Sequence, residues 1–154
     1  MRALLFIMLL TVTIMSGQSF AQNDYKKITP NDLSEILQSN AGQKQALLVY
    51  ASWCPHCQLI FPELVNIEKN HPGSVQAISM DKDVDRFKAF TKQFPDSSID
   101  PLIWDTEFHL GLSLETLGVS FSGFIPFVAL IDKDGKTITQ GHITVDEIKE
   151  FLEG

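Results

Sequence analysis

The sequence predicts an α/β domain, a central β-sheet flanked by helices. Strand-length apolar runs, residues 46–50 and 124–131, alternate with stretches of helical periodicity. A turn at Asp132-Lys133-Asp134-Gly135-Lys136 joins the second run to residues 137–142 as a hairpin. Both cysteines of the chain lie in Cys54-Pro55-His56-Cys57, between an apolar run and a helix-like one. A Cys-x-x-Cys at such a junction reads as a redox dithiol.

The N-terminus has the form of an export signal. Met1-Arg2 gives a positive start, residues 3–15 are almost wholly apolar, and Ser19 and Ala21 occupy the −3 and −1 positions of a cleavage site. The apolar run is short of the about 20 residues that a membrane span needs. Residues 1–21 are therefore expected to be a cleaved signal peptide rather than a membrane tether, and no cysteine follows to carry a lipid anchor. Residues 22–154 suit one domain, with chain enough for its own core. Loss of Arg2, the leader's one charge, takes the net charge from −7 to −8. That balance argues against nucleic acid or an anionic membrane as partner. A periplasmic or secreted location suits disulfide chemistry.

Each later element has a local signal. Residues 25–28 are expected to form a short edge strand. Thr29-Pro30-Asn31-Asp32 starts a helix, with Thr as cap, Pro at the first position and an acid at the third. Leu33, Ile36 and Leu37 give that helix its apolar face. Residues 46–50, continuously apolar, predict a buried central strand. The helix through residues 58–70 holds Pro62, expected to kink it. Its six apolar residues, Leu59 among them, predict deep burial. Residues 74–80 form a strand, and the acidic run 81–85 opens a helix bearing Val84, Phe87, Phe90 and Phe94, closed by Pro95. Between Pro95 and Gly123 the pattern supports a short strand at 102–104 and a short helix at 112–117. Residues 124–131 form a strand with Pro126 at its head. Thr144-Val145-Asp146-Glu147 is a capping box for a last helix with Ile148, Phe151 and Leu152 inward.

The dithiol's chemistry follows from its place. Two intervening residues let the sulfurs meet across a first helical turn, so a disulfide can close between Cys54 and Cys57. Free N–H groups and the positive dipole end at the helix start favour a thiolate at Cys54, which makes it the nucleophile. Cys57, one turn inside, is the resolving thiol. Pro55 suits an early helical position. His56 can offer the Cys54 sulfur a hydrogen bond or a positive charge. Each tenfold of thiolate stabilisation, about 1.4 kcal/mol, makes the couple roughly 30 mV more oxidising. Alternatives are weaker: a structural disulfide here closes a tiny loop, and zinc would need more soft ligands. Copper on Cys54, Cys57 and a methionine or histidine elsewhere stays open, but no metal and no cofactor is expected. His71, His109 and His142 lack local company and read as surface or packing residues.

Ala51-Ser52-Trp53-Cys54-Pro55-His56-Cys57, then Pro62, then Ile125-Pro126 ahead of Ile131-Asp132-Lys133-Asp134-Gly135, together resemble the thioredoxin superfamily over most of the chain after the leader. The resemblance implies a thioredoxin fold, a central mixed sheet flanked by helices, with a modest insertion before Pro126. It also implies that Pro126 is cis and faces the dithiol, and that the backbone of Ile125 pairs with a substrate strand. Cys-Pro-His-Cys is similar to the dithiol of DsbA, a disulfide donor. The insertion and hairpin resemble the TlpA/ResA group of exported reductases. Thioredoxins usually hold a buried acid six residues before the first cysteine; here that residue is Leu48, and Glu63 is the candidate replacement, with a solvated surface acid as the alternative.

These features lead to an expected enzyme, an exported thiol–disulfide oxidoreductase acting on protein thiol and disulfide clients through Cys54 and Cys57. Trp53 would shield one side of the dithiol, with a core aromatic as the alternative; Pro55 and His56 would support it, with an exposed loop histidine as the alternative for His56; and Ile125 and Pro126 would dock the client. A membrane or soluble redox partner and a monomeric state are expected. Pro55-His56 and the missing acid favour an oxidase or isomerase; the insertion and hairpin favour a reductase, for example one serving cytochrome c maturation. The rival from another class is a non-catalytic module holding clients or copper.

Overall fold

Residues 24–154 are described by the computed structural model; the signal expected at 1–21 lies outside them. Strand β1 (Lys26–Ile28) leads into helix α1 (Pro30–Ser39) through Thr29, whose side chain and Asp32 form a reciprocal capping box. Strand β2 (Gln45–Tyr50) is buried at every position. Helix α2 (Pro55–Asn70) continues through Pro62 without a break. Strand β3 (Val75–Ser79) and helix α3 (Val84–Thr91) follow, then strand β4 (Leu102–Trp104) and helix α4 (Leu110–Glu115). Strands β5 (Phe127–Ile131) and β6 (Thr137–Gly141) make the hairpin, and helix α5 (Val145–Glu153) closes the fold behind a second capping box, Thr144 with Glu147. Gly135, at φ 79°, takes the left-handed conformation that the hairpin turn requires.

The six strands form one sheet in the order β1-β4-β3-β2-β5-β6. The first four are mutually parallel, while β5 runs antiparallel to β2 and β6 antiparallel to β5. The sheet is thus mixed, as expected, and β1 is an edge. Side chains alternate across β2. Ala46, Leu48 and Tyr50 join Phe61 and Leu64 of α2, Phe87 and Phe90 of α3, and Ile148 of α5. Leu47 and Val49 face the other way, onto Leu33 of α1 and Leu110 and Leu114 of α4. Helices cover both faces, which is why the central strand lacks polar alternation.

Four local expectations change. Helix α3 stops at Thr91, so Phe94 packs from the turn beyond it. Helix α4 begins at Leu110, because the His109 side chain caps it by accepting from Leu112 N at 3.3 Å. Strand β5 begins at Phe127; residues 124–126 are a loop. Leu59, counted among the buried face of α2, is 73% exposed. Among the described residues, no helix is long and apolar enough to cross a membrane.

Candidate active site

Strand registers bring the site together. In the β2–β5 pair, Val49 lies opposite Phe127. Extending that antiparallel register sets residues 50–51 beside 126–125, so the loop leaving β2 meets the loop entering β5. The Ile125–Pro126 peptide bond is cis. The Ile125 carbonyl lies 3.8 Å from Cys54 Sγ, within reach of a weak thiol hydrogen bond. Residues 71 positions apart in sequence are thereby adjacent at the sulfur.

Cys54 is the N-cap of α2. Its backbone is extended, and its Sγ accepts a hydrogen bond from the Cys57 N–H at 3.3 Å. A sulfur in this place receives one of the N–H groups that every helix start leaves free. Pro55 opens the helix, where its missing N–H costs nothing. Cys54 is 5% exposed and Cys57 is fully buried; both are free thiols. Burial, first, and the hydrogen bond to Cys54, second, push the Cys57 thiol from 9.0 up to about 12. The pair is therefore unequal: the Cys54 sulfur caps the helix start, and the Cys57 thiol is held protonated one turn inside.

The neighbours divide into exposed and buried. Trp53 is 52% exposed, so it borders the dithiol rather than filling the core. His56 is exposed as well, and the hydrogen bond accepted by Cys54 Sγ comes from the Cys57 backbone. Phe124, beside Ile125, is 81% exposed. Leu48 is fully buried in the same cluster as Cys57. Glu63 does not take over as a buried acid: it points outward and pairs with Lys149 at 3.5 Å. Among the described residues no cluster of three or more His, Cys, Asp or Glu is arranged to hold a metal ion.

One buried acid at this end of the sheet was not singled out from sequence. Asp81, read there as part of a helix start, is 2% exposed and hydrogen-bonded to Ser52; Asp83 is the cap of α3. The signal available was positional, an acid directly after an apolar strand.

The thioredoxin family profile matches residues 24–95, from β1 through α3. No curated protein matches the chain. Among solved structures, the exposed lipoprotein thioredoxin of Streptococcus pneumoniae is similar at 27% identity and TM-score 0.58, covering 76% of this chain and 88% of that one. A thiol:disulfide interchange protein of Chlorobium tepidum, of the thioredoxin family, matches at 19% identity and TM-score 0.62, over 75% of this chain and 81% of that one. A secreted Mycobacterium tuberculosis disulfide oxidoreductase homologous to DsbE of E. coli matches at 19% and 0.57, over 75% and 84%. The last two likenesses speak to the fold.

Proposed function

We propose that this chain, a protein of the thioredoxin fold, is an exported thiol–disulfide oxidoreductase that exchanges disulfides with protein clients. The observation that carries this is the placement of Cys54, capping α2 with the Cys57 N–H on its sulfur and the carbonyl of Ile125 at 3.8 Å. Free N–H groups at a helix start favour an anion there in general, and on this reading the loop through Ile125 and Pro126 would hold the incoming chain.

The exchange runs in two steps. Cys54 as thiolate attacks one sulfur of a client disulfide; the client's S–S bond breaks, its other sulfur leaves as thiolate, and a mixed disulfide forms. Cys57 then loses its proton to solvent and attacks Cys54 Sγ. The mixed disulfide breaks, the second client sulfur leaves, and a Cys54–Cys57 disulfide remains. Two electrons have passed to the client; the reverse sequence oxidises it. The hydrogen bond and charge of Cys54 are among the causes that hold the Cys57 proton. Both vanish once Cys54 is tied up in the mixed disulfide, so Cys57 becomes easier to ionise at the step that needs it.

Trp53 and Phe124 put an exposed aromatic on each of the two segments that meet at Cys54, which supports a polypeptide client with apolar side chains. The signal-like sequence pattern of residues 1–21 supports export to the periplasm or beyond. Insulin reduction by dithiothreitol tests the reading: the wild type accelerates it and Cys54→Ser does not. Equal activity of the two would favour a non-catalytic binding module instead. The direction of flow is read from the reduction potential. A value near the thioredoxin level of about −270 mV marks a reductase, and one near about −120 mV an oxidase.

A further inference from the structure

The loop that carries Cys54 is pinned from behind. In the parallel β2–β3 pair, Tyr50 lies opposite Ser79. Two residues on, the same register sets Ser52 opposite Asp81, and the side chain of Asp81 reaches across. Asp81 Oδ2 accepts from the Ser52 N–H at 2.8 Å and Oδ1 from the Ser52 hydroxyl at 2.8 Å. The Ser79 hydroxyl donates to Oδ2 at 2.5 Å, and the Asp81 N–H donates to Ser79 Oγ at 3.0 Å. Among the described residues Asp81 joins no ion pair. On its other side Ser52 is tied to the helix, its carbonyl accepting from Gln58 Nε2 at 2.7 Å. The Cys54 N–H meanwhile donates to the Ala51 carbonyl at 3.1 Å.

We propose that Asp81 is a positioning residue for the dithiol, a buried carboxyl group that fixes Ser52 and so sets Cys54 at the head of α2. Two hydrogen bonds to one residue fix the orientation of that peptide unit as well as its place. A loop freed at Ser52 shifts at Trp53 and Cys54, the next two residues. The fit of the Cys54 sulfur to the Cys57 N–H depends on that backbone. The oxidoreductase reading is the ground for the functional weight of this role, but the positioning itself is measurable without any client.

The test compares Asp81→Ala, Asp81→Asn, Ser52→Ala and the Asp81→Ala/Ser52→Ala pair in the reduced protein. The readouts are iodoacetamide modification of Cys54 near neutral pH and the reduction potential against glutathione, with folding followed by circular dichroism. Asp81→Ala is expected to slow Cys54 modification about tenfold, by loosening the helix-start contact. The potential is expected to fall with it. Asp81→Asn is expected to recover most of the rate. Its amide oxygen can accept from the Ser52 N–H and the Ser79 hydroxyl, while its amide N–H donates to a turned Ser52 hydroxyl. The double variant should be no slower than Asp81→Ala alone. If Asp81→Ala does not fold, Ser52→Ala, which keeps the backbone bond, should still slow the reaction by roughly two- to fivefold. A folded Asp81→Ala with wild-type rate and potential overturns the proposal. So does an Asn variant as slow as Ala, because charge and not position would then matter, and so does an unslowed Ser52→Ala. Slowed Cys54 modification in a protein without client activity would sink the oxidoreductase reading and leave the positioning role standing.

Discussion

Cys54 and Cys57 share a motif but not an environment: one caps the helix and the other lies a turn inside it. Burial is the first cause of the rise of the Cys57 thiol from 9.0 to about 12. In Cys54→Ser that burial persists, so Cys57 should resist alkylation until the pH is well above 9; modification at neutral pH would contradict the assignment. The same shift has a consequence for stability. The folded state keeps a proton that the unfolded chain sheds at 9.0, so a stabilising contribution is complete below that pH and lost as the pH climbs towards about 12. Wild-type stability in urea should decline across that window more steeply than that of Cys57→Ala. Parallel declines would show that Cys57 is not held as described. The places of the two cysteines were legible in sequence, because a Cys-x-x-Cys before a helix fixes which sulfur caps it. Asp81 was not, since its partner, Ser52, is set by strand register, which no local window contains.

At the scale of elements, caps were the most readable signals. Thr29 with Asp32 and Thr144 with Glu147 form the two reciprocal boxes, and each is written within four residues of chain. Thr144→Ala should cost about 1 kcal/mol in chemical denaturation; no loss would mean that α5 does not depend on its cap. Hydrogen bonds from the Thr29 side chain and backbone, with help from Lys26, pull Asp32 from 3.8 down to about 2. Its contribution is whole above 3.8 and lost as the pH falls towards about 2. The stability gap between wild type and Asp32→Asn should close on acidification; a gap constant with pH would refute this. The elements misread share a cause. The start of α4 depends on an unusual histidine cap, the start of β5 on a loop given over to the site, and the exposure of Leu59 on which face α2 turns to the sheet. None of these is a matter of local periodicity.

On the scale of the whole molecule, a mixed sheet between two cores holds two loops in contact at one sulfur. The segment between α3 and β5 belongs to this frame, because Leu114 of α4 is fully buried in the second cluster. Leu114→Ala should cost about 2–5 kcal/mol, whereas Leu112→Ala, on the exposed side, should stay within about 0.5 kcal/mol. Equal costs would mean that the segment is an appendage rather than part of the core. The most direct measurement for the account as a whole is covalent trapping. Reduced Cys57→Ala and Cys54→Ala proteins are each incubated with an oxidised client protein and resolved on a non-reducing gel. Cys57→Ala should accumulate a mixed disulfide through Cys54 and Cys54→Ala should not. Equal trapping by both, or trapping by Cys54→Ala alone, would contradict the assignment of Cys54 as the attacking sulfur.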